Sequence, residues 1–169
     1  MRRVLVLLLV ATALATVAGC GSSSKSSRSS TAAARQAHTH FAKTKFLLHA
    51  GLAFGAFHHW IYKPFKAGDF SHPLRHKLTV VKALAAAAFV SHEVLLARRD
   101  IGASKLLSKV VLPLITIGGS VAVIRSALKS HQAPSASSVS SANSSISTVE
   151  SRSSAAGSPI TETTAGAPI

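Results

Sequence analysis

The sequence predicts an all-α protein, a small antiparallel bundle of three or four helices carrying a Ser-rich disordered linker and C-terminal tail. Three observations lead there. Three long stretches have helical apolar periodicity, and no strand alternation persists anywhere. The connections between them are short, which favours antiparallel neighbours. The chain has 169 residues, 47% of them hydrophobic, enough apolar material for one modest core. Net charge is +14, with one Cys, nine His and five acids. One Cys excludes a disulfide framework and Cys-rich zinc modules. Five acids leave little material for carboxylate-pair catalysis.

At the N-terminus, Arg2 and Arg3 precede an uncharged Leu/Val/Ala run over residues 4–17, and Val17-Ala18-Gly19-Cys20 follows. A basic start, a short apolar run and small residues make a signal peptide. Val17-Ala18-Gly19-Cys20 also resembles the lipobox of bacterial lipoproteins. The resemblance covers about the first twenty residues. It implies cleavage before Cys20, a diacylglyceryl group on the Cys20 sulfur, and export. The protein would sit on the outer face of the cytoplasmic membrane, or face the periplasm in a Gram-negative cell. The overall layout is similar to small exported lipoproteins of Gram-positive or high-GC bacteria. That likeness assigns no role to any residue of the core.

The chain therefore divides into a signal peptide (residues 1–19), a lipidated Cys with Ser-rich linker (20–30), a basic helical core (31–131) and a tail (132–169). Residues 21–30 hold seven Ser, the composition of a flexible tether. The tail has twelve Ser and four Thr in 38 residues, and is expected to be disordered. The core holds fourteen Lys/Arg against Asp69, Glu93 and Asp100, or +11.

The first helix is expected from Ala32 or Ala42 to Tyr62, stopped by Lys63-Pro64. The second starts near Ser71, an N-cap with Pro73 in the first turn, and ends after Arg98-Arg99. The third runs from near Ser104 to Ser130, bent at Pro113 and Gly118-Gly119. Each helix carries a thin polar stripe: Lys45, His49, His59 and Lys63 on the first; Arg75, Thr79, Lys82 and Glu93 on the second; Lys105, Lys109, Thr116 and Ser120 on the third. Gly51-x-x-x-Gly55 lets another backbone approach closely, with the alanines at 85–88 as its expected partner.

Within the core, the longest charge-free apolar run, residues 110–124, is fifteen residues. A span needs about 17–25, and ionisable groups interrupt the other helices. A bundle outside the bilayer, resting on lipid, is favoured over a small integral subunit of a larger complex.

Eight of the nine His lie between His38 and His92. His72 and His76 have the i, i+4 spacing that clamps one metal on a helix. A bis-His haem site would pair His49 or His58 with His92. These residues define an alternative reading as a metal or haem protein. Hydrogen-bonded or exposed His on a basic protein is the simpler account, and the leading reading has no cofactor. His92-Glu93 begins the zinc-protease motif, but position 96 is Leu, so the second ligand is absent. Gly118-Gly119-Ser120 lacks the strand and downstream acid of a nucleophile elbow. No phosphate loop is present.

Eight of nine aromatics fall within residues 41–70. Trp60, Tyr62, Lys63 and Lys66 combine interfacial aromatics with cations that anionic headgroups attract. The expected function is a non-enzymatic, lipid-anchored envelope protein whose core binds anionic lipid or cell-wall polymer. Specific nucleic-acid binding is not expected.

Overall fold

A computed structural model describes residues 27–101 and 107–167. The signal peptide, lipobox and most of the linker lie outside the described residues. The chain divides into two compact units, Met1–Ala33 and Ala34–Ile169. The fold below is that of the second. It is all-α, and the described residues contain no strand.

α1 (Ser27–Phe57) starts earlier than the sequence suggests, and Lys63-Pro64 does not stop it. A π-turn at His58–Tyr62 leads directly into the short α2 (Lys63–Ala67). Pro64 has no N–H and its ring crowds the preceding carbonyls. The wider turn absorbs this, and the Lys63 N–H bonds to the His58 carbonyl. The stop comes at Gly68, whose φ of 80° only glycine adopts cheaply. Gly68 N–H bonds to Phe65 O at 3.1 Å and Asp69 N–H to Pro64 O at 3.0 Å, a Schellman ending.

α3 (Lys77–Ile101) begins five residues later than the Ser71 cap predicts. Ser71 N–H turns back to Gly68 O at 3.0 Å, and His76 N–H closes one isolated turn on His72 O at 3.3 Å. α3 ends after Arg98 and Arg99, as expected. A 3₁₀ turn at Leu107–Val110 opens α4 (Val111–Lys129). Pro113 falls in its first turn, where its missing N–H is not required. α4 continues unbroken through Gly118-Gly119.

The expectation of a disordered tail needs correction. α5 (Ala136–Ala155) is a five-turn helix packed on α4. Ser135 caps it, accepting the Ser138 N–H at 3.2 Å. Buried Pro134 and Val139 occupy the staple positions. Val139, Ala142, Ile146 and Val149 are all buried. Their 3-4-3 spacing is a narrow apolar seam in a Ser-rich background. Each buried Val or Ile contributes about 1.5–3 kcal/mol, which offsets the poor helix propensity of Ser.

The core joins Phe46, Phe54 and Phe57 of α1 and Ile61 of the π-turn to Val90 of α3, Leu114 and Ile124 of α4, and the α5 seam. Beyond Gly157 (φ 68°) the chain reverses and runs back over α1.

Candidate functional site

The polar stripes of α1 and α3 face each other. His49 Nδ1 lies 2.6 Å from Glu93 Oε2, and Nε2 lies 3.8 Å from Asp100 Oδ2. Glu93 is 6% exposed, so the pairing satisfies an otherwise costly buried carboxylate. One stripe residue further along, Lys82 Nζ sits 5.0 Å above the Trp60 ring.

A second polar cluster joins the π-turn, α5 and the returning C-terminus. His58 Nδ1 lies 2.6 Å from Glu162 Oε1, and Nε2 lies 2.9 Å from Asn143 Oδ1. Glu150 shares a hydrogen bond with Glu162. Burial pushes the Glu150 carboxyl above the usual range, the Glu162 charge and that bond push it further, and His58 opposes them. A groove of about 390 Å³ beside the cluster is lined by His58, His59, Lys63, Glu162, Thr163 and Thr164, with Gly55 at its floor.

The Gly51–Gly55 notch does not take the α3 alanines. It seats the backbone of residues 161–163. A Cβ on Gly51 would be driven into the Thr161 carbonyl, and one on Gly55 into the Thr163 backbone. Thr163 N–H bonds to Gly51 O at 3.1 Å.

The other notable surface belongs to α3 and α4, which lie side by side. Leu78, Val81 and Leu95 of α3, and Leu112, Ile115 and Val123 of α4, are each 44–71% exposed. Cations surround them: Lys77, Arg98, Arg99, Lys109 and Lys129, all exposed. A groove of about 450 Å³ at one end is lined by His92, Leu95, Leu96, Arg98, Arg99 and Val111. A smaller one of about 240 Å³ is lined by Ser91, Ala122, Arg125, Ser126 and Lys129. α3 contributes two acids, Glu93 and Asp100, and both turn toward His49. Both helices, at Lys77–Ile101 and Ser108–Lys129, are long and apolar enough to cross a membrane.

No family model, curated protein or solved structure matches the chain. Its own geometry therefore carries the reading.

Of the residues singled out by sequence, Lys63 and Lys66 are exposed, while Trp60 and Tyr62 are half-buried against the core. Tyr62 packs edge-on to His58 at 5.6 Å between ring centroids. The Trp60 Nε1 is buried with no hydrogen-bond partner among the described residues. His49 and His58 are engaged with carboxylates. His72 and His76 are exposed on an isolated turn rather than a helix, and His92 faces outward on α3. Among the described residues, no three His, Cys, Asp or Glu side chains form a group able to hold a metal. Sequence reasoning missed Glu150, Glu162 and Asn143, because they lie in the segment expected to be disordered. The seam at 139–149 was the signal that could have found them.

Proposed function

We propose that the protein is a lipid-anchored, non-enzymatic envelope protein whose bundle rests on an anionic lipid surface. Cys20 carries the anchor, and the outer faces of α3 and α4 make the contact. One observation carries this reading: two adjacent helices with uncovered Leu, Ile and Val side chains, bordered by Lys and Arg. Apolar side chains enter the interface while neighbouring cations meet headgroup phosphates at about 1 kcal/mol each. Lys63 and Lys66 extend the cationic border, and Trp60 and Tyr62 brace the turn that presents them. The other elements suit water. α5 exposes Ser140, Ser144, Ser147, Ser151 and Ser154, α1 exposes Lys45, and the π-turn exposes His59.

The test uses the chain with Cys20→Ser, so that no acyl chain contributes. It should sediment with phosphatidylglycerol vesicles and much less with phosphatidylcholine vesicles. Replacing Leu95 and Leu112 with Ser should abolish sedimentation. Failure of the Cys20→Ser chain to bind phosphatidylglycerol would overturn the reading. Intact mass of the cell-derived protein tests the anchor: an unmodified Cys20 removes it.

The span-length helices favour a second reading, a small integral subunit. Alkaline carbonate separates the two. A surface-bound Cys20→Ser chain is washed off membranes, whereas an integral one stays.

A further inference from the structure

Residues 158–164 form a strap that closes over α1, and three titratable groups from three different elements meet at its edge. Ser158 is 2% exposed, and its carbonyl accepts the Ser153 hydroxyl. Ile160 packs on the core, and the next residues sit in the Gly51–Gly55 notch. Glu162 of the strap meets His58 of the π-turn and Glu150 of α5.

We propose that this strap is a proton-operated latch, seated on α1 while the Glu150 and Glu162 carboxyls share a proton and released as pH rises. One proton shared by the Glu150 and Glu162 carboxyls leaves that pair a single negative charge. Losing that proton leaves two negative charges facing each other between α5 and the strap. The raised Glu150 carboxyl agrees in sign. A group held protonated by the fold contributes stability in acid, and that contribution is lost as pH climbs through its folded-state value. Other nearby charges do not take over the role. His59 and Lys63 line the same groove but are exposed, and the Arg152 guanidinium donates to the Lys109 carbonyl. Release uncovers the Gly51–Gly55 notch and withdraws Ile160 from the core.

Hydrogen-exchange protection factors across residues 158–165 of the full chain, corrected for intrinsic rates, test the latch. Between about pH 5 and about pH 8 they should fall about tenfold. Glu150→Gln should remove most of that fall. Gly55→Ala should leave the strap unprotected at both pH values. Equal protection at both pH values in the natural sequence would overturn the latch. So would an undiminished fall in Glu150→Gln, or a matching loss across α3 and α4, which would mean global rather than local opening.

Discussion

A methyl group added at Gly55 meets peptide backbone, which cannot rotate away as a side-chain tip can. Gly55→Ala should therefore cost about 1–3 kcal/mol in urea unfolding. Gly119, with open space around its Cβ position, offers the contrasting substitution: Gly119→Ala should be neutral or stabilising by helix propensity, by up to about 1 kcal/mol. His131 ends α4 at φ 54°, the left-handed region, while Gln132 N–H closes on Ala127 O at 2.9 Å. His131→Gly should raise stability by about 0.5–1 kcal/mol in the same assay, because glycine occupies that conformation without a Cβ clash. The buried Glu93 predicts the reverse. Glu93→Ala strands the His49 ring between α1 and α3 and should cost about 1–3 kcal/mol.

α5 shows how an element's stability can rest on very few side chains. Ile146→Ala should cost about 2–5 kcal/mol by urea titration, whereas Ser147→Ala, on the exposed face, should stay within about 0.5 kcal/mol. The same element shows the reach of the sequence and its limit. Helix class, the C-terminus of α3 at Arg98-Arg99 and the apolar surplus of α3 and α4 are readable because many residues repeat one signal. α5 is not, since four apolar positions are diluted by Ser, whose composition reads as solvated chain. Boundaries failed where a local signal competed with a better one further on. Ser71-His72-Pro73 has the residues of a helix start, yet Ser71 is drawn into the turn after Gly68. Lys63-Pro64 has the residues of a stop, yet a π-turn lets the helix continue to Ala67. In the candidate sites, the exposed Lys63 and Lys66 could be read from charge alone. The partners of His58 could not, because Asn143, Glu150 and Glu162 lie 85 to 104 residues away and reach it only through the fold.

As a whole, the second unit is two-sided, with apolar rows on α3 and α4 and hydroxyl-rich α5 elsewhere. The lipid reading therefore predicts a particular salt response. Binding of the Cys20→Ser chain to phosphatidylglycerol vesicles should weaken as salt rises toward about 0.5 M, since headgroup attraction is screened, but should not vanish, because Leu95, Leu112 and Ile115 keep their apolar contribution. Complete loss at moderate salt would assign the binding to charge alone. The seat of Thr161 and Thr163 on Gly51 and Gly55 has a consequence in time as well as in space. Synthesis proceeds from the N-terminus, so α1 exists long before the residues that cover its notch. Closing that contact links positions more than a hundred apart, and such distant pairings form slowly. Until residue 163 has emerged, the growing chain holds an unfinished core. Under the export proposed above, that delay would favour threading through a membrane before folding.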